Sequence, residues 1–315
     1  MKHYDVLIVG AGAAGMAAAL SAHRNGVSNL ILVEREDSPG GVLLQCLHQG
    51  FGRSYFGEEL TGRAYAARFC EALEKSGMKV MTKAAVLSLS PQRTALISSP
   101  SGLWDCSFSQ CVLATGCRET PIDALSISGT RPSGIFTAGM AQKMLNVSGY
   151  DIGDWVVILG SGDVGQIMAR QLTQCGKRVV AIVEQNGHLG GLAHNRRECI
   201  EKFQIPVILR STVCEIFGEN RIRGVMIRNL ETGTSRYIAC DTLVTALGLI
   251  PEQELLAPFQ TQEKLPEWLH LCGNCDYVHK IVDTVTIQGE EIGSKLMDAS
   301  VEQNFSRRAV RAGDT

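Results

Sequence analysis

Residues 6–15, Val6-Leu-Ile-Val-Gly10-Ala-Gly12-Ala-Ala-Gly15, decide the fold, and residues 156–165, Val156-Val-Ile-Leu-Gly160-Ser-Gly162-Asp-Val-Gly165, repeat them. Each copy is a short apolar run of strand length that leads through a G-x-G-x-x-G turn into an apolar stretch of helix length. The register that pairs Gly10 with Gly160 also pairs Glu34 with Glu184. One register kept over so many positions indicates an internal repeat of two similar units.

The repeat continues beyond the glycines, with one difference in length. Gly40-Gly41 matches Gly190-Gly191 in the same register, whereas Val86 matches Val213 only after a shift. The segment from Gly41 to Val86 is longer than the segment from Gly191 to Val213. The first copy therefore carries a surplus that the second lacks, placed just after its glycine pair. The closing apolar strands of the two copies are Cys111 to Gly116 and Leu243 to Gly248.

The alternation of strand and helix patterns identifies the fold class. In each unit the helix is followed by a second apolar strand, Leu30 to Val33 or Val179 to Val183, that leads into glutamate. A strand, a helix and a strand within about 30 residues form a βαβ unit, which requires a parallel sheet. Alternating segments, Ala85 to Leu89 and Arg223 to Ile227, predict an antiparallel meander in each unit. We therefore predict an α/β fold of two Rossmann-like dinucleotide-binding domains, each a parallel sheet with an antiparallel meander.

Composition limits the class of protein. The 315 residues carry a formal net charge of −2, a field too weak to favour nucleic acid or an acidic membrane as a partner. Hydrophobic residues make up 45% and charged residues 20%, and no run reaches the roughly 20 apolar residues of an integral membrane span. Eleven cysteines are too sparse for a disulfide-stapled secreted domain, so we expect reduced thiols and a cytoplasmic protein.

The glycines and glutamates predict two dinucleotide sites. The first glycine of the motif permits a tight turn, the second lets the backbone approach a pyrophosphate, and the third lets helix and strand pack closely. Free N–H groups at the helix N-terminus then favour the phosphates. Glu34 and Glu184 lie equally far past the first glycine of their copy. There they are placed to accept hydrogen bonds from both hydroxyls of an adenosine ribose.

The second site favours NAD(H) over NADP(H). A carboxylate at Glu184 repels a 2′-phosphate, for which NADP sites usually supply arginine. Arg196 and Arg197 follow the Gly190-Gly191 loop and leave two interpretations open. They either reach such a phosphate or are solvated charges on a helix.

These motifs resemble those of flavoproteins with two dinucleotide-binding domains, the class that includes thioredoxin reductases and other disulfide reductases. The resemblance covers nearly the whole chain. It implies that the first domain binds FAD and that the second, inserted into the first, binds NAD(P)H. The expected boundaries are 1–118 and 250–315 for the FAD domain and 119–249 for the NAD(P) domain.

The same resemblance implies roles for individual residues. The ADP half of FAD is assigned to Gly10, Gly12, Gly15, Glu34 and Arg35, its pyrophosphate to Gly40 and Gly41, and its adenine to Val86. Further flavin contacts are assigned to the crossover Ala114-Thr115-Gly116 and to the late flavin motif Gly273-Asn274. The last assigned contact, which includes Val282, is the N-terminus of a helix that begins near Val278 to Val282 and faces the flavin O2 side. The class usually has aspartate after this late glycine, and Asn274 is still able to bond a ribityl hydroxyl. The NAD site is assigned to Gly160, Gly162, Gly165 and Glu184.

A narrower resemblance is carried by five separated segments. They are Gly40 to Phe51, Gly57 to Gly62, Cys117-Arg-Glu119, Gly134 to Gly139 and Val278 to Asp283. Together they are similar to the flavoprotein found beside anaerobic-type glycerol-3-phosphate dehydrogenases, which is related to subunits of opine oxidases and hydrogen cyanide synthase. The resemblance implies one component of a larger dehydrogenase assembly that exchanges electrons with a partner flavoprotein.

The position of the thiols separates possible activities. Thioredoxin reductases of this class place C-x-x-C ahead of the second glycine motif, and the matching stretch, Pro132 to Gly139, contains no cysteine. Cys272-Gly-Asn-Cys275 does match C-x-x-C, but it falls on the flavin motif and has no second pair at metal spacing. We therefore expect neither thioredoxin reductase activity, nor a redox dithiol, nor a metal site.

Cys46, in the surplus of the first copy, is the candidate catalytic thiol. Disulfide reductases hold a thiol over the flavin at about this position, and a helix N-terminus and His48 are expected to lower its pKa. The alternative is a small hydrophobic side chain that only packs.

These observations favour a FAD-dependent oxidoreductase that exchanges hydride between NAD(H) and flavin. Two alternatives remain open. One is a single-cysteine NAD(P)H-dependent disulfide or peroxide reductase that uses Cys46. The other is a non-catalytic FAD-binding assembly subunit.

Overall fold

The computed structural model describes residues 1–261 and 264–296, and the chain divides into two compact units. Unit 1 comprises residues 1–117 together with the described residues from 251 onward, and unit 2 comprises residues 118–250. Unit 2 is thus inserted into the sequence of unit 1. The part of the expected FAD domain from residue 297 to residue 315 lies outside the described residues.

The first segment of unit 1 forms most of one mixed sheet, together with a separate two-stranded antiparallel sheet of its third and fourth strands. Its strands are β1 (Lys2–Val9), β2 (Leu30–Val33), β3 (Gln49–Phe51), β4 (Leu60–Thr61), β5 (Val80–Met81), β6 (Ala85–Ser90), β7 (Thr94–Ser99) and β8 (Gly102–Leu113), and its helices are α1 (Ala13–Arg24) and α2 (Gly62–Ser76). Strand β1 is parallel to β2 on one side and to β8 on the other. The long β8 also pairs antiparallel with β7, and β7 with β6, so the meander continues the main sheet.

Unit 2 separates its parallel sheet from its meander. Its elements, with the two junction strands, are β9 (Cys117–Glu119), β10 (Ser128–Gly129), β11 (Ile135–Thr137), α3 (Ala138–Lys143), β12 (Trp155–Leu159), α4 (Asp163–Gln174), β13 (Arg178–Val183), α5 (Ala193–Asn195), β14 (Val207–Ile208), β15 (Ser211–Gly218), β16 (Ile222–Asn229), β17 (Ser235–Ala239), β18 (Thr242–Thr245) and β19 (Leu249–Pro251). The described residues form a parallel sheet in the order β11-β18-β12-β13-β14 and a second sheet in the order β10-β15-β16-β17.

The returning segment completes unit 1. It contributes β20 (Leu269–Leu271), which pairs parallel with β8, and α6 (Val282–Lys295). Helix α6 packs against α1 through small residues. A Cβ at Gly289 would lie 2.5 Å from the Ala14 carbonyl oxygen, and one at Gly293 would lie 2.3 Å from that of Ala18. Only glycine therefore permits this helix spacing.

The predicted α/β fold with two Rossmann-like units is confirmed, and the parallel βαβ portions of the two units are alike in detail. Both second strands of the βαβ motif are fully buried towards their carboxyl ends, as expected for central parallel strands with both faces covered. Lys83 and Arg210, which stand at matching positions ahead of Val86 and Val213, both adopt positive φ, at 54° and 52°. Among the described residues, no helix is both long and apolar enough to cross a membrane.

Candidate functional site

The first glycine turn combines two tightly packed glycines with one that faces open space. Gly10 has φ of 100°, and a Cβ there would lie 2.4 Å from the carbonyl oxygen of Ala114. A Cβ at Gly15 would lie 1.8 Å from the carbonyl oxygen of Gly10. A Cβ at Gly12 would meet no described atom within 4 Å. Gly10 and Gly15 are thus required by the packing of the turn, whereas Gly12 leaves room for a group that approaches the backbone.

Glu34 lies beside this turn, at the carboxyl end of β2. Its side chain is buried, with 5% of the residue exposed. Oε2 accepts a hydrogen bond from the Ala11 N–H at 2.8 Å, and Oε1 accepts one from the Glu36 N–H at 2.9 Å. A carboxylate has about four acceptor positions, so about two remain for the hydroxyls of a ribose.

The other residues assigned to the ADP half of FAD surround the same turn, with one exception. The Gly40 N–H donates to the Ala11 carbonyl, and a Cβ at Gly41 would lie 3.2 Å from Gly12 Cα, so the glycine pair closes over the motif. Val86 lies on β6, just after the backbone bond from Ala84 N–H to the Glu34 carbonyl. Arg35 is exposed and is the exception, since no described contact ties it to the turn.

The crossover and the late flavin motif meet the glycine turn from the other side. The Ala114 N–H donates to the Val9 carbonyl, and Thr115 Oγ1 donates to the Glu252 carbonyl at 2.6 Å. Gly116 and Gly273 both have positive φ, at 78° and 70°. These glycines let the two loops pass close to the carboxyl ends of β1 and β8.

A polar network holds the late flavin motif in place. Gln288 Oε1 accepts hydrogen bonds from the Gly273 N–H at 2.7 Å and from His279 Nε2 at 3.0 Å. Asn274 Oδ1 accepts from the His279 N–H at 3.0 Å, and Asn274 Nδ2 donates to Cys117 Sγ at 3.5 Å. One amide hydrogen of Asn274 is left over, which fits a contact with a ribityl hydroxyl.

Helix α6 begins at Val282, at the last residue of the predicted range Val278 to Val282. Asp283 in its first turn has a role that sequence reasoning missed. The Asp283 carboxylate accepts three backbone hydrogen bonds, from Gly52 at 3.0 Å, Ser54 at 2.7 Å and Tyr55 at 3.2 Å. It thereby anchors the surplus of the first copy on α6. Asp283 is the last residue of the segment Val278 to Asp283, one of the five segments that carry the narrower resemblance. Its hydrogen-bond partners could not be predicted from that segment, because they lie in a distant part of the sequence.

The second glycine turn reproduces the first. Gly160 has φ of 103°, and a Cβ there would lie 2.3 Å from the carbonyl oxygen of Ala246. A Cβ at Gly165 would lie 2.5 Å from the carbonyl oxygen of Gly160, whereas one at Gly162 would meet no described atom within 4 Å. Unit 2 therefore also combines two packing glycines with one that leaves its backbone accessible.

Glu184 occupies the place of Glu34 but is more heavily hydrogen-bonded. Oε2 accepts from the Ser161 N–H at 3.1 Å and from Ser161 Oγ at 2.6 Å. Oε1 accepts from the Asn186 N–H at 2.8 Å and from Asn186 Nδ2 at 2.7 Å. Burial by itself opposes the charge, but these four donors outweigh it and hold the pKa of Glu184 below its usual value. Glu184 is therefore ionised at neutral pH.

The Gly190-Gly191 loop is tied to the second glycine turn. Asp163 Oδ1 accepts from the Leu192 N–H and from Asn195 Nδ2, both at 2.7 Å. Of the two arginines considered at this loop, Arg197 is exposed, and Arg196 has a buried Nε with no hydrogen-bond partner among the described residues. Arg196 is thus half-buried, with its Nε shielded from solvent, and both interpretations of the pair stay predictions.

Cys46 lies between the short helical turn Gly41–Gln45 and the start of α2. A Cβ at Gly62 would lie 2.6 Å from Cys46 Cβ, so only glycine fits opposite it. Cys46 Sγ donates to the Val42 carbonyl at 3.4 Å, and burial raises the pKa of the thiol to about 11. The expectation that a helix N-terminus and His48 lower this pKa is wrong, because desolvation of the thiolate dominates.

The C-x-x-C thiols are buried in the wall of unit 1. Cys275 Sγ donates to the Leu113 carbonyl at 2.9 Å, and burial raises the pKa of both Cys272 and Cys275. Neither is arranged as an exposed, nucleophilic thiolate. Within the described chain, no group of three or more His, Cys, Asp or Glu side chains is arranged to hold a metal ion.

Comparison with known proteins identifies the family. Residues 4–268 match the family model described as pyridine nucleotide-disulphide oxidoreductase, and the chain belongs to that family. Its members bind FAD and use pyridine nucleotides. The open glycine backbone, the acceptor positions of Glu34 and the spare amide hydrogen of Asn274 fit FAD in unit 1.

Several relatives are named as components of other enzymes. The alpha subunit of sarcosine oxidase from Corynebacterium sp. (strain P-1) is 31% identical over 286 residues, which cover 84% of this chain and 28% of that protein. The HcnB subunit of hydrogen cyanide synthase from Pseudomonas aeruginosa is 24% identical, with 94% of this chain and 70% of that protein covered. This chain thus spans less than a third of the sarcosine oxidase relative.

The fold is that of known thioredoxin reductases. The crystal structure of the T. acidophilum enzyme superposes with a TM-score of 0.76 at 22% identity, over 94% of this chain and 98% of that one. The likeness establishes the two-domain architecture.

Proposed function

We propose that this member of the pyridine nucleotide-disulphide oxidoreductase family exchanges hydride between NAD(H), bound at the glycine motif of unit 2, and FAD, bound at that of unit 1. The observation that carries the proposal is a pair of equivalent sites. Each has a glycine turn with an accessible second glycine, next to a buried glutamate at the end of a parallel strand. The geometry fits one adenine dinucleotide in each unit.

The chain's own residues bind and orient the two coenzymes. When bound, the flavin and the nicotinamide supply the redox chemistry. Glu34 and Glu184 accept hydrogen bonds from ribose hydroxyls, and the N-termini of α1 and α4 stabilise the phosphates. The N-terminus of α6, at Val282, favours negative charge on the flavin O2 side. A hydride step between two correctly held rings requires no acid or base from the protein.

The same reasoning favours NAD(H) over NADP(H). Glu184 is ionised and buried, so a 2′-phosphate at this position meets a negative charge. Arg196 offers one unpartnered donor near the loop, but a donor does not remove that repulsion. We therefore assign NAD(H) as the substrate of unit 2.

We assign the partner as a flavoprotein dehydrogenase of the glycerol-3-phosphate dehydrogenase type, in the cytoplasm. Support comes from the five sequence segments that resemble the flavoprotein beside such dehydrogenases. Relatives among the subunits of sarcosine oxidase, hydrogen cyanide synthase and opine oxidase are in keeping with a role within a larger assembly. Identification of the proteins that copurify with the chain tests the assignment, and isolation of the chain without a flavoprotein partner would contradict it.

An anaerobic titration tests the hydride exchange. We expect the purified protein to be yellow, NADH to bleach its flavin absorbance, and NADPH to do so only at much higher concentration.

Two matched variants locate the two coenzyme sites. Neither added methyl group would meet a described atom, so each change should leave the fold intact and occupy only the space through which the coenzyme approaches the backbone. Gly12→Ala is therefore expected to lose FAD, whereas Gly162→Ala is expected to keep FAD and lose bleaching by NADH. A flavin that NADH does not bleach in the wild type would instead support a non-catalytic role.

Replacement of Cys46 separates hydride exchange from disulfide reduction. Under the proposal, Cys46→Ser retains reduction of an artificial acceptor by NADH, because the thiol is protonated at neutral pH and takes no part. A single-cysteine reductase would lose disulfide or peroxide reduction with this change. The assay therefore uses both acceptors on the same preparations.

A further inference from the structure

The two copies of the dinucleotide motif differ in how their glutamates are hydrogen-bonded. Glu34 accepts two hydrogen bonds from described donors, and both come from backbone N–H groups. Glu184 accepts four, of which two come from backbone and two from the side chains of Ser161 and Asn186. Since a carboxylate has about four acceptor positions, those of Glu184 are filled.

The two additional donors are specific to the second copy. The register that pairs Gly10 with Gly160 aligns Ser161 with Ala11 and Asn186 with Glu36. An alanine has no side-chain donor, and an ionised glutamate only accepts. The difference in hydrogen bonding between Glu34 and Glu184 thus arises from two positions of an otherwise similar motif.

The Ser161 hydroxyl also holds the neighbouring loop. Its Oγ accepts a hydrogen bond from the Gly190 N–H at 2.8 Å, while Gln166 Nε2 donates to the carbonyls of Ser161 and Gly190, both at 2.7 Å. Gln166 is fully buried, and its Oε1 has no partner among the described residues. This oxygen is therefore available to accept a hydrogen bond from a ligand or a water molecule.

Binding of a ribose at the two sites therefore has different consequences. At Glu34, the two hydroxyls find acceptor positions that are open. At Glu184, each hydroxyl displaces a donor that is already bonded, so one hydrogen bond is exchanged for another and the net gain is small. The exposed Asn186 returns to water, and displacement of Ser161 releases the loop at Gly190.

We propose that Ser161 and Asn186 set the affinity of unit 2 for adenine dinucleotides by competing with the ribose for Glu184. This inference rests on the proposed function and deepens it. It accounts for the different demands on the two coenzymes. FAD stays bound through each cycle, whereas NAD(H) must leave after every hydride transfer. Ser161 and Asn186 are positioning residues that make the second site exchangeable.

The test measures binding of oxidised NAD⁺ to the FAD-loaded full chain by calorimetry, because NAD⁺ leaves the flavin oxidised. Ser161→Ala and Asn186→Ala are each expected to bind NAD⁺ about tenfold more tightly than the wild type, as each removes one competing donor. The gain should disappear with an NAD⁺ analogue whose adenosine lacks both the 2′- and the 3′-hydroxyl. Ser133→Ala is the matched control, since it removes a hydroxyl bonded to the Asn220 carbonyl elsewhere in unit 2.

The outcomes distinguish this inference from the proposed function. If the wild type binds NAD⁺ and both variants bind it equally well or more weakly, the competition does not exist, although hydride exchange stands. If neither the wild type nor any variant binds a pyridine nucleotide, the proposed function of unit 2 fails and this inference fails with it. Asn186 is exposed, so its variant remains informative even if Ser161→Ala unfolds.

Discussion

Single ionisable residues in this protein take their chemistry from the balance between burial and hydrogen bonding. Both Cys46 and Glu184 lose solvent, which disfavours the charged form of either side chain. Glu184 has four donors that restore the charge, so its pKa falls, whereas desolvation dominates at Cys46 and raises the pKa of its thiol. At neutral pH the carboxylate is charged and the thiol is neutral.

The reactivity of Cys46 should show this protonated state directly. With a pKa of about 11, only about one thiol in ten thousand is ionised at pH 7, and alkylation requires the thiolate. We expect the rate of Cys46 labelling by iodoacetamide to rise about tenfold per pH unit between pH 7 and pH 10. Mass spectrometry of the labelled peptide measures this rate, with the exposed Cys175 as internal reference. Labelling of Cys46 that is fast at pH 7 and independent of pH would restore the thiolate hypothesis.

The sequence predicted the positions of the functional residues better than it predicted their hydrogen bonds and their burial. Glu34 and Glu184 follow from spacing alone, because the glycine turn and the second strand fix where a carboxylate lies. The hydrogen bonds from Ser161 and Asn186 depend on side-chain rotamers that the motif does not encode. The burial of Cys46 depends on its contact with Gly62, which only the folded surplus segment creates.

At the scale of elements, the glycine motif assigns different tasks to residues of one type. A methyl group at Gly15 would lie 1.8 Å from a carbonyl oxygen, so Gly15→Ala must push α1 away from β1. We expect this change to lower the free energy of unfolding of the apoprotein by about 3 kcal/mol or more. Gly12→Ala should leave it within about 0.5 kcal/mol of the wild type. Urea denaturation of flavin-free protein compares the two, and equal losses would show that Gly12 also packs.

A second prediction concerns the anchor between α6 and the surplus segment. Asp283→Asn keeps the shape of the side chain but removes the charge that three backbone N–H groups share. Hydrogen bonds to a charged group contribute more than neutral ones, so we expect a loss of about 2–4 kcal/mol in the free energy of unfolding. Glu71→Gln, in an exposed ion pair with Lys75, is the control and should change little. An unchanged stability in Asp283→Asn would mean that the segment is held by its apolar contacts.

The hydrophobic pattern predicted the repeated βαβ elements well, but it did not predict how the meander strands pair with the main sheets. Leu30–Val33 was predicted with the observed bounds, because an apolar run between a turn and glutamate leaves little freedom. The predicted meander has two forms, since β8 in unit 1 is long enough to enter the main sheet, whereas the meander of unit 2 is a separate sheet. Local patterns do not specify how strands from distant segments pair.

At the scale of the whole molecule, one chain carries two units that each bury their own apolar residues. Two hydrophobic clusters enclose the sheet of unit 1. The cluster on one face includes Ile8 and Leu32, and the cluster on the other face includes Leu7 and Phe108. Unit 2 has equivalent clusters on the two faces of its parallel sheet, around Ile158 and Leu243. A ligand that binds one unit therefore stabilises contacts within that unit first.

Hydrogen exchange of the backbone amides should show which unit binds each coenzyme. A ligand at 100 times its dissociation constant stabilises the state that binds it by about 2.7 kcal/mol, which slows exchange at backbone amides that open only when the ligand leaves. We expect FAD to slow exchange in residues 6–15 and 34–41, and NAD⁺ to slow it in residues 160–166. Mass spectrometry of peptides from the full chain, with each ligand added alone and then together, provides the comparison. If NAD⁺ protected only residues 6–15 and 34–41, it would be competing for the flavin site, and the assignment of one coenzyme to each unit would be wrong.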